Sequence, residues 1–156
     1  MTVSDLTIGV VGSGGDGAVS VGEILTSAAA TEGLYCFMTK SFGAQIKGGE
    51  SSARVRMCQD PVLTQGDGLN IIVVFNWNDF ASFEAEMTLR EGCVILYDSK
   101  DTTPADEMPI DQSLSPILYP IPFDKIAKDT VQTSLAKNVV SLGVLIGMFD
   151  LPADGT

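Results

Sequence analysis

Apolar positions along this chain fall into short blocks with two different periods. Six blocks read as strands: Leu6–Val11, Leu34–Thr39, Ser52–Cys58, Leu69–Phe75, Cys93–Tyr97 and Ile117–Ile121, with turn residues at most junctions. Ile71-Ile72-Val73-Val74-Phe75 is apolar without alternation, which predicts a central strand covered on both faces. Ala53-Arg54-Val55-Arg56-Met57 alternates, placing both arginines on one face and predicting a strand with a wetter side. Between strands the period lengthens. Val21, Ile24, Leu25 and Ala28 recur at i, i+3, i+4 and i+7, predicting a helix over Ala18–Ala30; further helices are expected at Trp77–Glu86 and Ser134–Phe149. A shorter helical turn is expected near Phe123–Ala127, with Asp124 as its N-cap. In the last helix Val140, Val144 and Met148 form one stripe, with Leu145 beside it. Gly143 and Gly147 each cost about 1 kcal/mol relative to alanine, so a close contact with another element is expected there.

Strands alternating with helices predict an α/β fold: a single three-layer domain with a mostly parallel mixed sheet. A hairpin-like excursion is expected around Ser41–Ser52, and Asp101–Glu107 reads as a polar loop. One module spanning 1–156 is the simplest organisation, with the Pro/Gly/Asp tail after Leu151 reading as a linker into further sequence or a truncation. At 156 residues, a domain of this size buries roughly two thirds of its unfolded surface.

Charge narrows the range of partners. Nine Lys and Arg against twenty Asp and Glu give a net charge of -11, which repels phosphate backbones and argues against nucleic acid. Cys36, Cys58 and Cys93 are isolated from one another inside strand blocks, so they read as buried free thiols rather than a metal or cluster run. The longest apolar run, Val139–Met148, is interrupted by Ser141 and two glycines, and no charged-then-apolar leader opens the chain. A cytoplasmic protein with no membrane partner is expected.

Candidate chemistry concentrates in two glycine loops. Gly12-Ser13-Gly14-Gly15-Asp16-Gly17 follows the first strand and opens into the first helix, and unpaired N–H groups at a helix start suit an anion. Gly12, Gly14 and Gly17 satisfy the G-x-G-x-x-G spacing. The second strand, however, ends Met38-Thr39-Lys40-Ser41 without the acid that would hold a ribose; the nearest acid, Glu32, precedes that strand. A plain tight turn, a phosphate or CoA contact and a dinucleotide site all remain open for this loop. Asp16 would repel a phosphate there unless it points away. In the second loop, Lys47 beside Gly48-Gly49 and ahead of Ser51 and Ser52 would bring a cation, backbone donors and hydroxyls to one anionic ligand; the alternative is an ordinary hairpin crossing. Gly66-Asp67-Gly68 resembles the start of a thiamine diphosphate signature, but that signature is incomplete, since Val94-Ile95-Leu96-Tyr97-Asp98-Ser99 stands where its later Asn belongs; the segment also reads as a β-turn. No P-loop ending follows the first glycine loop. The absence of histidine excludes a Ser-His nucleophile.

Ser41-Phe42-Gly43-Ala44-Gln45-Ile46-Lys47-Gly48-Gly49-Glu50-Ser51-Ser52-Ala53-Arg54-Val55-Arg56, taken with the first glycine loop, resembles the gamma domain of the 2-oxoacid:ferredoxin oxidoreductases. Pro61-Val62-Leu63 and Lys137-Asn138-Val139-Val140-Ser141-Leu142-Gly143 also look like that family, so the resemblance runs from about Leu6 to Leu151. These enzymes decarboxylate a 2-oxoacid oxidatively onto CoA, using thiamine diphosphate and iron–sulfur clusters to reduce ferredoxin. The resemblance implies one component of a hetero-oligomer, as a separate gamma subunit or the N-terminal part of a fused alpha chain, with a 2-oxoglutarate-type or pyruvate-type substrate. Thiamine diphosphate, Mg and iron–sulfur clusters are then expected on alpha and beta partners. No catalytic residue and no metal ligand is assigned to this chain. The residues carried over for CoA are Gly12, Ser13, Gly14, Gly15, Gly17, Lys47, Gly48, Gly49, Ser51 and Ser52. Two other readings stay beside it: a non-catalytic interface module of the same complex, and a stand-alone dinucleotide-binding protein.

Overall fold

In the first strand, Leu6, Ile8 and Val10 face one way and Thr7, Gly9 and Val11 the other, and all six are buried. That strand therefore has to lie inside a sheet covered on both sides. The computed structural model, which describes residues 3–44 and 48–153, has it so. The elements are β1 Asp5–Ser13, α1 Ala18–Thr31, β2 Tyr35–Phe42, β3 Glu50–Cys58, β4 Leu69–Val74, α2 Trp77–Phe83, β5 Leu89–Asp98, β6 Ile117–Ile121, α3 Phe123–Val131 and α4 Lys137–Phe149. Short 3-10 turns, Gln112–Leu114 and Ser134–Ala136, precede β6 and α4.

The six strands form one sheet in the order β2-β3-β1-β4-β5-β6. β1, β4, β5 and β6 are parallel neighbours, whereas β3 runs antiparallel to both β1 and β2. The mostly parallel mixed sheet expected from the sequence is present, and the hairpin-like excursion is the β2–β3 connection, with Phe42 opposite Ser51. One layer packs Val21 and Leu25 of α1, Phe123 of α3 and Leu142 and Leu145 of α4 against Ile8, Val10, Val55, Ile71 and Val73. The other packs Trp77, Phe80 and Phe83 of α2 against Val11, Ile72, Val74 and Ile95. β4 contributes to both clusters, as its unbroken apolar run requires. Only seven residues long, α2 is too short to persist alone; its three aromatics, each at most 4% exposed, contribute roughly 1.5–3 kcal/mol apiece.

Four local expectations are corrected. The arginine face of β3 is wet at only one of its two arginines: Arg56 is partly exposed, but Arg54 is 3% exposed, because the turn at Gln65–Gly66 and the chain at Glu86 fold over it. Asp124 does not cap α3, which has Pro122 at its N-cap without a side-chain bond; Asp124 lies inside the first turn and pairs with Lys128 at 2.6 Å. The inward residues of α4 are Ser141, Leu142 and Leu145, while Val140 and Val144 are half-buried and Met148 is exposed. Gly143 and Gly147 touch nothing: a β-carbon on either would have open space within 4 Å. Cys58 and Cys93 are buried free thiols as expected, and Cys36 is half-buried.

Candidate functional site

The first glycine loop is built by the end of β1. Gly12 and Ser13 are still paired across to Ser51 and Glu50 of β3, and the chain then turns through Gly14 and Gly15, closed by the Asp16 N–H donating to the Ser13 carbonyl at 2.9 Å. Gly17 stands at the N-cap of α1 with φ 76°, a conformation that costs a side-chain-bearing residue roughly 1–2 kcal/mol. A β-carbon there would also lie 2.8 Å from Cβ of Asn138, at the start of α4. Asp16 does not face outward. Its carboxylate accepts from the Ser13 N–H at 2.9 Å and pairs with Lys137 at 2.7 Å, and Lys137 in turn lies 5.6 Å from the centre of the Phe75 ring. The loop thus supplies an anion of its own, and the start of α4 covers the start of α1. Ser13 is further fixed by its hydroxyl, which donates to Asp79 at 2.6 Å.

The second loop meets the first. A β-carbon on Gly14 would lie 3.0 Å from the Gly49 carbonyl oxygen and 3.1 Å from the Gly48 Cα, so the two glycine segments are in backbone contact. Gly48 is exposed with φ 70°, and the direction of its missing side chain is open. Lys47 lies outside the described residues. Ser51 and Ser52, adjacent in β3, point to opposite faces of the sheet and are 7% and 1% exposed. The structure therefore brings Gly12–Gly17, Gly48, Gly49 and Ser51 to one edge and directs Ser52 away from them.

One cavity lies at this edge and a second on the α2 face of the sheet. The first, of about 330 Å³, lies at the carboxyl ends of β1, β4 and β5, where ligands of open α/β sheets collect; its walls include Ser13, Asp16, Asn76, Asp98, Lys100 and Lys137. Behind it Asp124 sits between Lys128 and Lys100, at 2.6 and 3.6 Å, and the Lys128 hydrogen bond above all holds its carboxyl below the usual range. The other cavity, of about 480 Å³, opens on the α2 side and is lined by Ser41, Ser52, Arg54, Asp67 and Glu86 among others. Its floor is Arg54, whose guanidinium donates to the carbonyls of Gln65 at 3.1 Å, Gly66 at 2.8 Å and Glu86 at 3.0 Å. The Ser52 hydroxyl beside it is buried without a hydrogen-bond partner.

Arg54 and the Asp16–Lys137 pair are features the motif reading missed. Arg54 was visible only as one member of an alternating pair. Its partners are main-chain carbonyls, which leave no trace in residue type. Among the described residues no three His, Cys, Asp or Glu side chains are grouped to hold a metal ion. Gly66-Asp67-Gly68 leads into the start of β4, whereas Asp98 ends β5, so the two halves of the thiamine-like pattern lie at opposite ends of the sheet. The residues present do not fit the diphosphate and its metal. Among the described residues no helix is long and apolar enough to cross a membrane.

The chain resembles known proteins over nearly its full length. The 2-oxoglutarate synthase subunit KorC of Methanocaldococcus jannaschii is 29% identical over 136 residues, covering 86% of this chain and 70% of that protein. Among solved structures, the 2-oxoglutarate:ferredoxin oxidoreductase of Magnetococcus marinus, with 2-oxoglutarate, coenzyme A and succinyl-CoA bound, superposes with a TM-score of 0.83 at 31% identity. That match covers 97% of this chain but only 26% of the Magnetococcus chain. The keto/oxoacid ferredoxin oxidoreductase gamma subunit of Geobacter sulfurreducens shares the fold, with a TM-score of 0.76 at 24% identity over 96% of this chain and 79% of its own. The family model for pyruvate ferredoxin/flavodoxin oxidoreductase matches residues 7–155, and the chain belongs to that family.

Proposed function

We propose that this chain is the gamma component of a cytoplasmic 2-oxoacid:ferredoxin oxidoreductase, and that the meeting of its two glycine loops positions CoA beside a thiamine-bearing partner. The observation that carries the reading is the contact of Gly14 with Gly48 and Gly49, which leaves a side-chain-free strip of backbone at the carboxyl edge of the sheet. Such a strip admits a phosphate or pantetheine chain at backbone distance. The Magnetococcus relative, whose solved structure holds CoA, supports the assignment of ligand. CoA when bound supplies the thiol that accepts the acyl group. Gly48 and Gly49 offer backbone donors, Lys47 a cation, and Asp16 keeps Lys137 in place at the rim. Alpha and beta partners carry thiamine diphosphate, Mg and iron–sulfur clusters, and ferredoxin accepts the electrons.

A second reading, an interface module without ligand contact, draws on the α3–α4 face. Val139, Val131 and Ile126 are exposed there around an apolar groove of about 410 Å³. The two readings part on kinetics. In the purified assembly, Lys47→Ala raises the KM for CoA more than the KM for the 2-oxoacid if the loops hold CoA; equal effects support the interface reading. Purification of the chain alone, without partners bearing thiamine diphosphate and iron–sulfur absorbance, overturns both.

A further inference from the structure

We propose that the cavity beneath β2 and β3 binds a small zwitterion of the amino-acid class, its carboxylate on the Ser52–Arg54 floor and its ammonium at the Glu86–Asp67 rim. The first observation is the Ser52 hydroxyl, buried and without a hydrogen-bond partner although it lines a polar cavity. An unmade bond at such a group is costly, and a carboxylate oxygen would accept it.

The second is the charge of Arg54. At 3% exposure its guanidinium meets three neutral carbonyl oxygens, and among the described residues it forms no ion pair. A guanidinium carries five N–H groups, so two remain to be donated. Buried cations are ordinarily paired with an anion, and a carboxylate would supply both the counter-charge and the acceptors.

The rim sets the other end of the ligand. Glu86 and Asp67 are exposed at the mouth, and the Glu86 carboxylate accepts from the Ser41 hydroxyl. Arg90 and the Asp5-paired Arg56 also act on Arg54, so the floor favours a carboxylate, while an ammonium between Glu86 and Asp67 is attracted by both acids. A volume of about 480 Å³ lies within the usual range of small-molecule sites. This inference goes beyond the CoA reading and is independent of it, because it is tested by equilibrium binding rather than by turnover.

The test titrates the 156-residue chain with glycine, β-alanine and 4-aminobutyrate, using propionate and propylamine as single-charge controls, followed by calorimetry and amide chemical shifts. At least one zwitterion is expected to saturate the site about tenfold more tightly than either control, and Ser52→Ala to weaken it by about the same factor. Glu86→Gln is expected to reduce zwitterion affinity to that of propionate. If Ser52→Ala does not fold, Asp67→Asn, at an exposed turn, repeats the rim test. No saturable binding by any of the three, equal binding of propionate, or affinity unchanged by the substitutions overturns the proposal.

Discussion

Asp16 and Lys137, from opposite ends of the chain, form an ion pair at 2.7 Å with both side chains about 85% buried, and this pair ties the first glycine loop to the last helix. Asp16 also takes the Ser13 N–H, so the loop is held by a carboxylate and that carboxylate is held by α4. A loop fixed in this way has little freedom to adjust when a neighbour changes, which sharpens what substitutions within it should do.

Gly14→Ala should disturb the contact between the two glycine loops. The added methyl would stand 3.0 Å from the Gly49 carbonyl oxygen, and backbone on both sides must move. A loss of about 1 kcal/mol in stability is expected. If the loops hold CoA as proposed, the KM for CoA in the assembled enzyme should also rise more than the KM for the 2-oxoacid. Thermal unfolding and steady-state kinetics check the two parts separately.

Gly17→Ala should cost more, about 2 kcal/mol, because it combines a positive φ with the Asn138 side chain. For a domain of this length that is a fall of roughly 4–8 °C in Tm. Gly17→Ala combined with Asn138→Ala separates the two causes. Recovery of part of the loss measures the clash; the remainder measures the backbone.

Gly143→Ala and Gly147→Ala should each stabilise the isolated chain by about 0.5–1 kcal/mol, since both lie in a helix with open space where the methyl would go. If the exposed ridge of Val139, Gly143 and Gly147 receives a partner helix in the complex, the same changes should weaken assembly. Calorimetry on the chain and sedimentation of the complex would then move in opposite directions.

Acid stability should depend on Asp5 and Asp124. Asp5 accepts from Arg56 at 2.9 and 2.8 Å, and Asp124 from Lys128, and both carboxyls titrate below the ordinary 3.8. A lowered folded pKa contributes stability that is present above the unfolded value and lost as pH falls through the folded one. Asp5→Asn and Asp124→Asn should therefore flatten the loss of stability below about pH 4. At pH 7 the Asp5 change should cost less than about 1 kcal/mol, since that pair is partly exposed.

Thiol labelling should rank the cysteines by burial. Burial pushes the Cys93 thiol up to about 12 and raises that of half-buried Cys36 less far. Maleimide at pH 8 should modify Cys36 in the native chain and reach Cys93 only after unfolding, as read by mass spectrometry of digests.

The strands were readable in the sequence because each carries its own apolar block, and β4 announced its central place by lacking alternation. The first half of β5 was not readable. Leu89-Arg90-Glu91-Gly92 has no strand pattern, and it is recruited by pairing with Leu69, twenty positions away. Gly143 and Gly147 were misread for a related reason: glycine in a helix signals an absent side chain, but not whether anything fills the space. At the candidate site, both glycine loops stood out as motifs, yet their contact did not, because it depends on the register of β1 with β3. Ser51 and Ser52 looked like a single pair of hydroxyls until strand geometry sent them to opposite faces.

The reversed direction of β3 gives the chain two consecutive visits to one edge of the sheet. Had β3 run parallel to β1, its first residues would start at the far edge, some nine residues or about 30 Å from the Gly12–Gly17 turn. The strand acts as a ruler whose zero mark is set against β1 by the Gly12–Ser51 pairing. A slip of one residue would exchange the faces of Ser51 and Ser52 and carry Arg54 out of its carbonyl cage. Insertions of a single residue in β3 should therefore be tolerated far less well than insertions of several residues in the exposed loop at Thr102–Asp106.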